Sequence, residues 1–234
     1  MIRGVFFDWG NTLVAWEFDP ELFVEGHIRG LDAFGAGAPS QPAFTEAYSR
    51  QLLPLLVGER EDELDYTAEI AALLASLGAG GDAGAVGRFV VAENRVWRPT
   101  HHLEPAVVEL IDTLRAAGLK VGLISNAFDP PVLMRELFAE IGLLDRLDAI
   151  ALSAEVGKRK PHALMFKSAL DQAGVGPAES VMVGDRLRED VAGAQALGIA
   201  TVQARWFTDD DSAVATPDAA ADTPADVLRW LSPS

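Results

Sequence analysis

Five short apolar runs, at about residues 3–7, 120–125, 148–152, 180–184 and 199–203, punctuate a chain whose intervening segments carry helical period. Strands alternating with helices predict βαβ units, and so a doubly wound, mainly parallel α/β sheet of five or more strands. A strand buried on both faces of such a sheet reads as a continuous apolar run, and ligands bind beyond its carboxyl end. Three of the runs end on a residue able to do chemistry. Val5-Phe6-Phe7 leads into Asp8, Val121-Gly122-Leu123-Ile124 into Ser125, and Val181-Met182-Val183-Gly184 into Asp185. The helical segments 109–118, 133–142, 162–174 and 189–198 each close on glycine, a common helix stop. Thr223-Pro224 opens a last helix, with Thr as cap and Pro in the first turn.

Residues 15 to about 99 break the alternation. They carry no strand signal and read as helices around 20–34, 42–57, 62–77 and 83–97. Gly/Pro/Ala-rich joints such as Gly35-Ala36-Gly37-Ala38-Pro39 and Gly78-Ala79-Gly80-Gly81 separate them. The chain therefore divides into an α/β core, residues 1–14 and 100–234, and an inserted all-helical unit, residues 15–99.

Composition narrows the function. With 49 % hydrophobic residues among 234, a substantial core can be buried. A formal net charge of −16 argues against nucleic acid or an anionic membrane as partner. No cysteine is present, which excludes disulfides, thiolate zinc sites and cysteine nucleophiles. The first apolar stretch is broken by Asp8 and does not read as a signal peptide, and no run is long enough to span a bilayer. The cytoplasm is the default location, and a monomer or homodimer is expected.

Four segments in order resemble the motifs of the haloacid dehalogenase-like (HAD) hydrolase superfamily. They are Asp8-Trp9-Gly10-Asn11-Thr12, Ser125-Asn126, Lys158-Arg159-Lys160-Pro161 and Gly184-Asp185 followed by Asp190. The resemblance covers nearly the whole chain and implies a Rossmann-like core with a helical C1 cap, which residues 15–99 would form. It implies Asp8 as the nucleophile that forms an aspartyl-phosphate, and Mg²⁺ held by Asp8, the Gly10 carbonyl and Asp185. Asp190 matches a second acidic position that either ligates the metal, directly or through water, or orients the lysine. Ser125 matches the hydroxyl that bonds a phosphoryl oxygen, and Lys160 the lysine that neutralises charge. The catalytic set is then Asp8, Ser125 and Lys160. Thr12, Asn126 and Trp9 are candidate substrate-binding residues, Trp9 either shaping the pocket or packing under the cap. The implied substrate is small, anionic and phosphorylated.

One departure stands out. Phosphatases of this superfamily carry a second Asp two residues after the nucleophile, which protonates the leaving group and then activates water. Here that position is Gly10. Such acid–base help is worth ~10²–10⁴ in rate. Three readings follow: a leaving group that needs little protonation, replacement by a cap residue (Glu17, Asp19 or His27), or a weak or silent member that binds phosphate ligands, or a protein partner, without turnover. Phosphonoacetaldehyde hydrolases also lack the second Asp, but their mechanism needs a cap lysine and residues 15–99 contain none. The 2-haloacid dehalogenases need no metal, and retention of Asp185 and Asp190 ranks them behind a phosphatase.

Other features are less specific. His101-His102 reads as structural, Asp209-Asp210-Asp211 as a solvated loop, and Trp206-Phe207 as either site rim or core. Lys158, Arg159, Arg186 and Arg188 read either as a local positive field or as surface charge.

Overall fold

Gly4–Phe7, four buried residues in a row, form β1. The structure is a computed structural model that describes residues 1–231. Residues 232–234, assigned to the core above, lie outside the described residues. After β1 come five helices: α1 (Pro20–Phe34), α2 (Gln41–Gln51), α3 (Leu53–Val57), α4 (Tyr66–Ser76) and α5 (Ala83–Trp97). The alternating part continues with α6 (Pro105–Ala116), β2 (Lys120–Ser125), α7 (Pro131–Glu140), β3 (Ala149–Leu152), the short α8 (Ser153–Val156) and α9 (Ala163–Ala173). It ends with β4 (Ser180–Gly184), a π-helical segment (Leu187–Ala192), α10 (Gly193–Gln195), β5 (Ala200–Ala204), β6 (Ala219–Ala221) and α11 (Pro224–Leu231).

The strands form one sheet in the order β3-β2-β1-β4-β5-β6, with every neighbouring pair parallel. Phe7 stands in register with Leu123 on one side and Val183 on the other. The Asp8 N–H carries the ladder one step further by donating to the Val183 carbonyl at 3.0 Å. Strand order reverses at β1, and in doubly wound sheets ligands bind beyond the carboxyl ends at such a switch point. Alternation along the strands serves two helix layers. Val5, Phe7, Leu123 and Val183 pack with α6 and α7 residues such as Leu110 and Phe138. Phe6, Ile124 and Met182 pack with Met165 and Phe166 of α9. β6 lies outside the expected strands, because Ala219-Ala220-Ala221 lacks the branched and aromatic residues that mark a strand.

The five inserted helices enclose their own cluster, with Phe44, Ile70 and Phe89 at or below 1 % exposure. Helix α1 starts where expected because Asp19 accepts from the N–H groups of Glu21 and Leu22, at 2.8 and 3.1 Å. Asp82 caps α5 in the same way through the Ala85 N–H at 2.8 Å. Two helical expectations are corrected. The span 42–57 breaks at Leu52, since Pro54 lacks an N–H and is tolerated only in the first turn of a new helix. The span 62–77 begins only at Tyr66, after the Asp65 cap, because residues 61–63 are extended against another part of the chain.

A polar chain runs through this apolar cluster. Tyr48 and Tyr66 hydroxyls meet at 3.1 Å, Tyr66 donates to Glu93 at 2.6 Å, and His27 Nδ1 meets the Thr45 hydroxyl at 2.8 Å. Burial, reinforced by Asp129 and partly offset by the Tyr66 hydroxyl, raises Glu93 from 4.5 to about 8. Burial lowers His27 from 6.5 to about 4. Near pH 6 the two face each other at 3.8 Å as neutral groups, not as an ion pair. The folded state holds the Glu93 proton longer than the unfolded chain, so stability is lost as pH rises from 4.5 through 8. His27 opposes this only below pH 6.5, where stability is lost as pH falls towards 4. Between pH 6.5 and 8 Glu93 is expected to cost roughly 1–2 kcal/mol, or about 2–6 °C in melting temperature. Calorimetry of Glu93→Gln against the parent checks this: the parent should lose that much more with rising pH.

Candidate active site

Four charged side chains converge beyond the carboxyl ends of β1 and β4. Lys160 Nζ lies 2.5 Å from Asp8 Oδ1 and 2.6 Å from Asp190 Oδ1. The ammonium is only 2 % exposed, and Asp190 is 1 % exposed. One oxygen from each of Asp8, Asp185 and Asp190 lies within 4.8 Å of the others. Asp8 and Asp185 sit one residue past adjacent strands, which explains their meeting. Asp190 comes from the π-helical segment, where an α-helix over 189–198 was expected. The widened turn accompanies an inward carboxylate: Asp190 Oδ2 accepts the Arg186 N–H at 3.0 Å while Oδ1 takes Lys160. Gly184 makes room for this, since a Cβ there would lie 2.3 Å from the Asp190 carboxylate.

The electrostatics are set by crowding. Burial, and then the charge of Asp8, raises Asp185 to about 6. Burial lifts Asp190 to about 7 against the pull of Lys160, with Asp8 and Asp185 adding to the lift. Burial works against the charge on Lys160, but Asp190 and Asp8 outweigh it and hold its pKa above the ordinary lysine value. Three carboxylates against one ammonium leave surplus negative charge when all are ionised. Asp185 Oδ2 accepts from Thr208 at 3.2 Å, but its Oδ1 is buried with no partner. A buried acceptor without a partner costs free energy. An oxygen-only donor set with that surplus suits a hard divalent cation, so the residues fit Mg²⁺.

The other candidates take distinct places. Ser125 is buried at the end of β2, on the same rim as Asp8. Gly10 lies in the turn after β1, where the Leu13 and Val14 N–H groups donate to the Trp9 carbonyl at 2.9 and 3.2 Å and Asn11 adopts φ 57°. Thr12 is fully buried with an unpartnered hydroxyl, and its carbonyl accepts from Trp206 Nε1 at 3.0 Å. Trp206 thus braces the turn. Trp9 is 7 % exposed and packs in the core, stacked on His101 at 5.8 Å and edge-on to Phe138 at 4.9 Å, which gives it a packing role. The Asn126 side chain is taken up by the Lys160 backbone, accepting its N–H at 2.6 Å and donating to its carbonyl at 3.1 Å. It positions the lysine.

A free positive field at the rim is not what Lys158, Arg159 and Arg188 form. Each pairs with an acid of the inserted unit: Asp62, Glu63 and Glu59. Asp210 is more than a solvated charge, because its carboxylate accepts the Leu187 N–H at 2.8 Å and so caps the π-helical segment. Of the cap residues considered as a substitute acid, Asp19 is engaged in capping α1 and His27 is fully buried among Phe23, Phe44 and Tyr48. Asn126, Thr208 and Glu63 were not read from the sequence in these roles. The one available signal for Glu63 was an acid-rich stretch at 59–63, interrupted by Arg60, facing a basic run at 158–160.

Residues 2–198 match the family model of the haloacid dehalogenase-like hydrolases. The chain belongs to this family. Among curated relatives of the hydrolase, the glyceraldehyde 3-phosphate phosphatase of Methanothermobacter thermautotrophicus is 36 % identical over 211 residues, covering 86 % of this chain and 85 % of that protein. The glyceraldehyde 3-phosphate phosphatase of Methanopyrus kandleri is 28 % identical over 97 % of this chain and 96 % of that protein. A HAD phosphatase from Thermococcus onnurineus superposes with a TM-score of 0.68 at 21 % identity over 98 % of both chains, which shows the shared fold. The hydrolase is thus an enzyme of a phosphatase-rich family. Among the described residues no helix is long and apolar enough to cross a membrane.

Proposed function

We propose that this hydrolase is a Mg²⁺-dependent phosphatase of small phosphomonoesters, working through an aspartyl-phosphate on Asp8. The observation that carries the reading is the Lys160 ammonium clamped between Asp8 and Asp190, at 2.5 and 2.6 Å, beside Asp185. Phosphoryl transfer needs a positioned nucleophile and charge neutralisation more than covalent machinery. An Asp8 oxygen attacks phosphorus as the bond to the leaving oxygen breaks. Water then attacks the acyl-phosphate, returning Asp8 and releasing phosphate. Lys160 is a compact fixed charge that offsets the negative charge of nucleophile and phosphoryl group. The Ser125 and Thr12 hydroxyls donate to phosphoryl oxygens. Asp8, Asp185 and the Gly10 carbonyl would hold Mg²⁺, with Asp190 beside them steering Lys160. Bound there, the cation supplies Lewis-acid neutralisation of phosphoryl charge. Residues 15–99 act as the cap and residues 1–14 and 100–234 as the core, so that cap closure excludes water.

Gly10 supplies no proton to the leaving oxygen. Trp16 and Phe18, 46 % and 44 % exposed, follow the same turn, and Trp16 Cβ is the nearest atom to a Cβ built on Gly10. Leaving groups that depart unprotonated, aryl or acyl phosphates, suit this arrangement. The relatives' names support small phosphorylated substrates generally.

The test is hydrolysis of aryl, acyl and alkyl phosphates, glyceraldehyde 3-phosphate among them, with Mg²⁺ and with EDTA. Turnover that requires Mg²⁺ and is fastest on the best leaving groups is expected. No turnover of any ester would sink the reading. Chloride release from a 2-chloroacid in EDTA would favour the dehalogenase alternative that Gly10 keeps open.

A further inference from the structure

The inserted unit is stitched to the loop that carries Lys160. Between α3 and α4, the segment Glu59–Glu63 lies along Gly157–Arg159. Asp62 and Lys158 form an antiparallel bridge. The Glu63 N–H donates to the Gly157 carbonyl at 3.1 Å, and the Arg159 N–H to the Glu61 carbonyl at 2.8 Å. Lys158 pairs with Asp62 in the side-chain layer above.

Glu63 is the centre of this contact. Its side chain is 1 % exposed and meets Arg159 and Arg60, each at 2.7 Å, while the Leu64 N–H donates to it at 3.0 Å. The Ser153 hydroxyl lies 2.5 Å from Glu63 Oε2 and 3.1 Å from the Ala127 carbonyl. Both routes lead to Lys160. Arg159 is its neighbour in the chain. Ala127 follows Asn126, whose side chain clamps the Lys160 backbone from both sides. Glu59 of the same segment also pairs with Arg188 at 3.5 Å, whereas the pairs of Arg98 with Glu136 and Glu140 sit at the linker after α5 and do not touch this loop.

We propose that Glu63 is a positioning residue: through Arg159 and the Ser153–Ala127–Asn126 connection it sets Lys160 between Asp8 and Asp190. Docking of segment 59–63 and placement of the ammonium are then one event, so the cap completes the charge arrangement when it is seated. This rests on the reading of Lys160 as the group that neutralises phosphoryl charge. A misplacement near 1 Å can cost ~10²-fold in rate, so a held loop has catalytic consequence.

The experiment compares Glu63→Ala, Glu63→Gln and the parent, with Arg50→Ala as a surface ion-pair control on α2. Two properties are read: amide hydrogen exchange at Arg159 and Lys160, and kcat and KM for an aryl phosphate. In Glu63→Ala both amides should exchange roughly 10-fold faster or more, with Val181–Val183 unchanged, as expected for local opening. Its kcat should fall ~10–100-fold with KM within about 3-fold, and Glu63→Gln should recover part of the loss, as for a displaced group. Unchanged exchange at Arg159 and Lys160, or an unchanged kcat, would overturn the proposal. Should Glu63→Ala fail to fold, Glu63→Gln alone decides by the same two criteria. Should the parent hydrolyse no phosphate ester, the phosphatase reading fails, and the exchange of these two amides still decides whether Glu63 holds the loop.

Discussion

Asp8→Asn is expected to lose Mg²⁺-dependent hydrolysis of every phosphate ester, by roughly 10⁴–10⁶-fold in kcat, the scale seen when a covalent nucleophile is removed. The amide cannot form the acyl-phosphate, and the neighbouring Asp190 carboxylate is already engaged by Lys160 and the Arg186 N–H. The loss is not expected to come from unfolding. Lys160 keeps its 2.6 Å bond to Asp190, and one of three crowded carboxylates is replaced by a neutral group of the same shape. Without divalent cation the variant should therefore melt at or above the parent temperature. Steady-state kinetics with a single-turnover assay for phosphoenzyme check the first point, and calorimetry in EDTA the second. Retention of turnover in Asp8→Asn would remove Asp8 from the chemistry.

Gly10→Asp is expected to raise kcat on alkyl phosphates by ~10²–10⁴, the usual worth of general acid–base help. The same change should alter aryl and acyl phosphates little, because their leaving oxygens depart without a proton. The backbone allows the test: Gly10 is absent from the positive-φ positions, and the nearest atom to a built Cβ is Trp16 Cβ at 3.9 Å, an ordinary contact. Glycine there is thus required neither by backbone conformation nor by space, and its meaning is the absent carboxyl. Gly184 is the contrast, since its Cβ would collide with Asp190. An equal gain on all leaving groups would show that the carboxylate acts through the cation site. No gain on any would show that another residue already serves as acid, or that chemistry does not limit turnover. The ratio of alkyl to aryl kcat, parent against variant, is the measurement.

Several features were legible because they are local. The ends of β1, β2 and β4 announce Asp8, Ser125 and Asp185 through apolar runs that stop on polar residues. Helix α1 begins and ends where Asp19, Pro20 and Gly35 say it should. Pro54 was visible too, but its effect was misread: the helical period continues across it while the hydrogen-bond ladder does not. β6 escaped because three alanines carry no strand preference of their own and pair only because the edge of β5 is available. The end of the 189–198 helical pattern was legible, but its π start was not, because an inward-facing Asp190 depends on Lys160, thirty residues away.

The sequence by itself determined a parallel α/β sheet, a helical insertion after the first strand, and a set of acidic, hydroxyl and lysine side chains at strand ends. Periodicity, capping residues and glycine stops act over a few residues, so they survive in the linear string. Tertiary structure alone decided which of those side chains converge and which pack or brace their neighbours. It turned Trp9 into the core, gave the Asn126 amide to the Lys160 backbone, and laid residues 59–63 on residues 157–159, 96 residues apart at the Glu63–Arg159 ion pair. Such contacts depend on strand order and on how two packed units meet. Their energies come from burial and from complementary charge at long separation, and no short window of sequence carries that information.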